Sequence, residues 1–304
     1  MHKIFLLILV IGALIASCGE AMPPAPTATV APSAIPAQRA TKPRLMTELK
    51  LETQTGTSYT LDWSPDGETL AVASGFEITL LSSDLQEKHA VLEPTGGALG
   101  VTWGPTQTQF VTVNGFRNPT VTLWDWNNET NQLTRVQEIQ AGADQYGVSW
   151  SPDGRLLATL ADDSQSIIQV WDTGKWVEIH KFEWPYTNPR RALEWSMDSR
   201  TIYCAGEMKG QIVVFALSIT NGSVKEVGKF PLSQAEVFGI SPDAKTLAVA
   251  DAQGEVQIVD IASGEVLTGF KSVNQPVYLA WNPEGRTLAI LDYKATLQLW
   301  EVAR

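Results

Sequence analysis

The chain has 304 residues, with 33 acidic against 22 basic side chains and a formal net charge of −11. A protein that tracks phosphates carries a basic face, so this balance argues against nucleic acid as a partner. Apolar residues make up 44% of the sequence, enough for a sizeable core, and Val-, Ile-, Leu- and Thr-rich runs separated by Gly and Pro point to an all-β fold.

Residues 1–17 begin Met1-His2-Lys3 and continue as the apolar run Ile4–Ile15. That run is too short to span a bilayer and fits the hydrophobic region of a secretory signal peptide. It ends in Leu14-Ile15-Ala16-Ser17-Cys18-Gly19. This sequence resembles the lipobox of bacterial lipoproteins, in which a small residue precedes the cysteine that receives a diacylglycerol. The resemblance implies cleavage before Cys18, acylation of its thiol, and a protein lipid-anchored at the bacterial cell membrane and facing away from the cytoplasm. Each buried methylene contributes about 0.8 kcal/mol, so two or three acyl chains make a firm anchor.

Residues 18–43 follow as a linker rich in Pro, Ala and Thr. Such a segment cannot bury enough apolar surface to fold and is expected as an extended, semi-rigid stalk. With Cys18 modified, Cys204 has no disulfide partner and is expected as a small buried residue in the strand Thr201–Ala205.

Residues 44–304 carry the folded domain. Leu45, Thr47, Leu49 and Leu51 alternate as one face of a half-buried strand. Six turn-like segments then recur at spacings of 40 to 47 residues. They read Trp63-Ser-Pro-Asp-Gly67, Trp103-Gly-Pro105, Trp150-Ser-Pro-Asp-Gly154, Trp195-Ser-Met-Asp198, Ile240-Ser-Pro-Asp243 and Trp281-Asn-Pro-Glu-Gly285. In the third unit, Tyr146–Trp150 reads as a strand entering the turn, Arg155–Leu160 as a second, Ile167–Asp172 as a third and Trp176–Phe182 as a fourth. Four antiparallel strands in such a length make one propeller blade, which must stack on its neighbours to bury its apolar faces. The chain stops four residues past Trp300, which leaves no outer strand for the last blade. The segment Leu45–Leu51 is predicted to supply it, closing a six-bladed β-propeller of four-stranded antiparallel blades.

These units resemble WD-repeat β-propellers over almost all of residues 44–304. The third strands end Leu123-Trp124-Asp125, Val170-Trp171-Asp172 and Leu299-Trp300-Glu301, near the family's terminal Trp-Asp. The Ser-Pro-Asp-Gly turns are also similar to those of the six-bladed propellers of the Tol system. The family often places a His ahead of the first strand, bonded into a network with the turn Asp and a Trp. No unit here has that His, so apolar packing is expected to hold the blades.

Few residues suggest chemistry. The two histidines after the leader, His89 and His180, lie near no nucleophile motif, and neither a phosphate-binding Gly loop nor a Cys/His zinc pattern occurs. No catalytic residues, metal or cofactor are therefore expected. Two groups stand out. Asp162, Asp163, Glu207, Asp251 and Asp292 fall in the turns between second and third strands, where a propeller could gather them into an acidic channel rim. Trp184, Tyr186, Arg190 and Arg191 fall between the third and fourth blades and are residue types that dominate protein interfaces. The reading is a membrane-anchored, non-enzymatic platform for a protein or an envelope component. The alternative is an enzyme, or a small-ligand or metal binder, using the channel mouth.

Overall fold

A computed structural model of the protein describes residues 42–302 apart from 53–59, 75, 93–96, 116–117, 163–165, 184–188, 210, 231–234 and 273–274. The described residues form twenty-four strands in six four-stranded sheets, with every neighbouring pair antiparallel. Five sheets are consecutive in sequence. The sixth joins Pro276–Trp281, Thr287–Asp292 and Thr296–Glu301 to the N-terminal strand Arg44–Lys50. The predicted six-bladed propeller with a closing N-terminal strand is therefore the observed fold. The innermost strands pack each on the next, and that of the sixth blade packs on Thr60–Trp63 of the first.

Burial falls from the centre outward. Second strands such as Thr69–Ala73 are buried throughout, whereas the fourth strand Val177–Glu183 is almost wholly exposed. The sequence follows this gradient, because an inner strand is covered on both faces by adjoining blades and an outer strand is not. The apolar side chains cluster between blades. Leu61, Leu70 and Val72 of the first blade meet Leu291, Leu297 and Leu299 of the sixth, and the other five blade junctions have equivalent clusters. Each fully buried Leu, Val or Ile there contributes about 1.5–3 kcal/mol. Cys204 lies fully buried in the cluster between the third and fourth blades, and burial pushes its thiol up to about 12.

The closing strand departs from its predicted alternation. Its register shifts between Leu45 and Thr47, so Met46 is an inserted residue and the side-chain pattern slips there. Leu45 is consequently exposed, while Leu49 and Leu51 pack into the junction between the last and first blades. Arg44 adds a two-donor bond to Glu301 at 3.0 and 3.1 Å, exposed and of small energetic weight.

The repeated turns share one hydrogen-bond design. In the first blade Ser64 Oγ donates to Asp66 Oδ1 at 2.6 Å and accepts from the Thr69 amide at 2.9 Å, and Asp66 accepts from the Glu68 amide. The third, fourth and fifth blades repeat this with Ser151–Asp153, Ser196–Asp198 and Ser241–Asp243. Asn282 replaces the pair in the sixth, accepting from the amides of Arg286 and Thr287. The last turn residue is left-handed, with Gly67, Gly154 and Gly285 at φ of 66–74°, and with Ser199 at 57° and Ala244 at 54° in the units that lack the glycine. Gly154 has a second constraint: an added Cβ would lie 2.6 Å from Pro105 Cγ of the second blade.

The tryptophans that end the innermost strands latch one blade to the one before it. Trp63 Nε1 donates to the Ala280 carbonyl at 3.4 Å, Trp195 to Ser149 at 3.0 Å and Trp281 to Gly239 at 3.0 Å. Apolar packing is thus supplemented by a polar network that needs no histidine. At the second blade the Trp103 indole N–H is buried without a partner, and Asp62 of the first blade instead accepts from the Trp103 amide at 2.8 Å and the Thr102 hydroxyl at 3.0 Å. Trp150 turns its indole to its own Gly154 carbonyl, with its ring against Trp176 and over Gly104, where a Cβ would stand 3.0 Å from the ring. That contact accounts for glycine in place of serine in the second unit.

Two stability tests follow from these contacts. Gly154→Ala should cost more than about 1 kcal/mol in denaturant unfolding, whereas Ala244→Gly should gain about 0.5–1 kcal/mol by relieving a left-handed alanine. Trp281→Phe strands the Gly239 carbonyl, while Trp103→Phe removes an unpaired donor, so the former should be the more destabilising by about 1 kcal/mol or more. Equal costs would show that the indole bonds contribute nothing.

Candidate functional site

The axis of the propeller encloses a cavity of about 320 Å³ lined by the innermost strands and the turns that follow them. Its outer ring is Pro65, Pro105, Pro152, Met197, Pro242 and Pro283, one residue from each turn. Five of the six are exposed, Met197 at 71%, so the ring marks the mouth. Three residues further in comes Asp62, Thr102, Ser149, Glu194, Gly239 and Ala280, the position before the Trp or Ile of each unit. Four of these six are small or neutral, and two are acidic.

Those two acids come from the first and fourth blades, three blades apart around a ring of six. Burial raises the Asp62 carboxyl to about 6, against the lowering effect of bonds from the Trp103 amide, the Thr102 hydroxyl and the Trp63 amide. Burial raises Glu194 further, to about 8, and the negative charge of Asp62 adds to the rise. The Glu194 carboxylate makes no hydrogen bond or ion pair among the described residues, and the surface it retains borders the cavity. Among the described residues no Lys, Arg or His lines the cavity. At neutral pH the site therefore holds one ionised carboxylate and one carboxylic acid, the pairing that serves either proton transfer or capture of a cation.

The sequence reading did not single out Asp62 and Glu194. The signal was the residue before each repeat tryptophan, where two units carry acids and the other four carry small residues.

Of the acidic turn residues, those whose side chains are described lie elsewhere. Asp251 and Asp292 sit in second-to-third-strand turns and cap them, accepting from the Gln253 and Glu255 amides at 2.9 and 2.8 Å and from the Thr296 amide at 2.6 Å. Neither lines the cavity, which opens among the first-to-second-strand turns at the other end. Asp162 ends the strand Leu156–Asp162 and Glu207 lies in Thr201–Met208. Asp163, Trp184, Tyr186 and Cys18 fall outside the described residues. Arg190 and Arg191 belong to the innermost strand of the fourth blade, Pro189–Trp195. Among the described residues no group of three or more His, Cys, Asp or Glu side chains is placed to hold a metal.

Because both raised acids bind a proton more tightly folded than unfolded, their contribution to stability is full below about pH 4 and declines as pH rises through about 6 and then 8. The melting temperature should therefore fall between pH 5 and pH 9 in part through Glu194, and Glu194→Gln should flatten that slope. An identical slope in the variant would mean that Glu194 is not held protonated.

Comparison with known proteins agrees with the architecture. At 24% identity over 206 residues, Protein HIR1 of Cryptococcus neoformans aligns with 58% of this chain and 22% of its own length. WD repeat-containing protein 1 of Bos taurus is 23% identical over 194 residues, 59% of this chain and 30% of the relative. Apoptotic protease-activating factor 1 of Rattus norvegicus is 23% identical over 247 residues, 78% of this chain and 18% of the relative. The chain thus spans less than a third of the length of these curated relatives. Among solved structures, a chain of Kuenenia stuttgartiensis hydrazine synthase superposes with a TM-score of 0.66 at 15% identity, covering 83% of this chain and 97% of its own. The β-propeller domain of Myceliophteria thermophila Cps50 (Swd1) does so with a TM-score of 0.57 at 14% identity, covering 80% and 83%. At such identities these structures establish the fold alone. The family model described as eukaryotic translation initiation factor eIF2A matches residues 72–202 and again 176–293. The two matches overlap and together take in well over half of the sequence, and the chain belongs to that eIF2A family as a WD-repeat-like six-bladed propeller.

Proposed function

We propose that this chain is a non-enzymatic interaction platform, carried by lipidated Cys18 on the stalk 18–43 and displayed outside a bacterial cytoplasm. The WD-repeat relatives support the platform, and the lipobox-like Ala16-Ser17-Cys18 supports the anchor. The observation that carries the reading is a pair of exposed aromatics on adjoining blades. Phe76, 59% exposed, and Tyr293, 54% exposed, sit in the second-to-third-strand turns of the first and sixth blades, hence on the same face. Pro189, paired with Gly206, starts the fourth blade's innermost strand at that same end. A latched ring gives such a face little freedom to lose on binding, which favours affinity from a few aromatic anchors.

The test is crosslinking and capture of the tagged full chain from its native membranes, read by mass spectrometry. A recurring protein partner should be retained by the unaltered chain and lost, by about tenfold or more, from a Phe76→Ala/Tyr293→Ala double variant that still folds. Retention of that partner by the double variant would remove this face from the account. Cys18→Ser should abolish membrane retention. Its persistence in the membrane fraction at the mature size would refute the anchor.

A further inference from the structure

The axial cavity carries an inference separate from the platform. We propose that the channel is a binding site for a single protonated amine on an apolar stem, held between Asp62 and Glu194 with the stem rising past the proline ring.

Three observations converge on that ligand class. The first is the unpartnered carboxylate. Glu194 is half-buried, borders the cavity and receives no hydrogen bond among the described residues, whereas Asp62 on the other side accepts three. A carboxyl partly withdrawn from water without a partner is costly for a protein to keep, and an ammonium between the two acids supplies both charge and donors. The second is the wall. Leu61, Val101, Leu193, Phe238 and Leu279 line the cavity with the prolines and Met197 at its mouth, and among the described residues no cationic side chain lines it. An apolar lining with two convergent charged groups is the general form of a small-ligand site, and the volume of about 320 Å³ lies at its lower bound. The third is depth. Asp62 and Glu194 lie three residues in from Pro65 and Met197, so the acids are at most about 10 Å below the rim at ~3.3 Å per residue. An alkylammonium of lysine length reaches that far.

A bare divalent ion fits less well. It would have two carboxylates and no third His, Cys, Asp or Glu among the described residues, and half of the wall is apolar.

The same chemistry has two sources, a free alkylamine or a lysine side chain presented by another protein. In either case binding draws a proton from Glu194. Among the described residues, the titratable groups that share the cavity with Glu194 are Asp62 and Tyr278, and Tyr203 is its cross-strand neighbour. The adjoining innermost strands of the third and fifth blades present only Ser149 and Gly239 at that level. Affinity therefore rises with pH until Glu194 is ionised without help, then levels off.

The experiment is calorimetric titration of the full chain with n-pentylamine, with a blocked tripeptide carrying one lysine, with 1-pentanol as the neutral counterpart, and with calcium. The amine or the lysine peptide should bind with unit stoichiometry and release about one proton at pH 7. Affinity should rise by about tenfold or more between pH 6.5 and pH 8.5. Whichever of the two binds more tightly identifies the source. Glu194→Gln, which keeps the shape of a side chain that bonds to nothing, should weaken binding by about tenfold or more and abolish the proton release. Pentanol binding as tightly as pentylamine would overturn the proposal, as would calcium in preference to either amine, a pH-independent affinity, or no binding at all. None of these results bears on the aromatic face, so this site and the platform stand or fall separately.

Discussion

The structure depends on contacts between sheets that share no strand. Each blade is complete in its own backbone hydrogen bonds, and among the described residues one ladder, that of the N-terminal strand with Thr296–Glu301, ties the first and last parts of the ring together. At every junction blade is held to blade by apolar packing, together with an indole N–H passed back to the preceding blade at three of them. A buried indole gains from an acceptor, and the carbonyl one residue before the Trp or Ile that ends the neighbouring innermost strand is the acceptor that the propeller geometry supplies at three junctions. The direction of these bonds is uniform, each blade donating to the one before it. Where the tryptophan is missing, at Ile240, there is no indole to donate and Ile240 joins the apolar cluster of that junction. Where the indole is orphaned, at Trp103, the carboxylate of Asp62 takes over by binding backbone and hydroxyl donors.

Asp62 thus links two roles. As a junction residue it joins the first blade to the second. As a channel residue it raises the local negative potential and helps keep Glu194 protonated across the cavity. The ring must be rigid for this coupling to persist, because two buried carboxyls in a deformable pore would separate or admit water. The same rigidity fixes Phe76 and Tyr293 on the opposite face. One end of the molecule is therefore an apolar-rimmed, acid-bottomed hole, and the other is a face with protruding aromatics. These two ends suit ligands of different size.

Much of the architecture was legible because it is local and repeated. The turn recurs six times, twice as the full Trp-Ser-Pro-Asp-Gly, and the Ser–Asp bonding of four of the turns is confined to six residues. The closing strand was legible through its alternation and its position, although the slip at Met46 was not, since a bulge leaves no mark in a single strand and appears only against a partner. The channel acids were not legible for a different reason. Asp62 and Glu194 are 132 residues apart and neither belongs to a motif. Only ring closure brings the first and fourth blades face to face. The turn acids, by contrast, attracted attention as a group. Those whose side chains are described, Asp251 and Asp292, cap their own turns, the ordinary work of Asp in such positions.

The central claim is that six sheets behave as one ring, latched at the innermost strands. Native-state hydrogen exchange of the full chain across a denaturant series, resolved by peptide, tests this most directly. The account predicts that the innermost and second strands of all six blades, the sixth included, exchange through a single opening at the global unfolding free energy. Separate, lower-energy opening of the sixth blade with its N-terminal strand would contradict it and would describe a stack of blades instead of a closed ring.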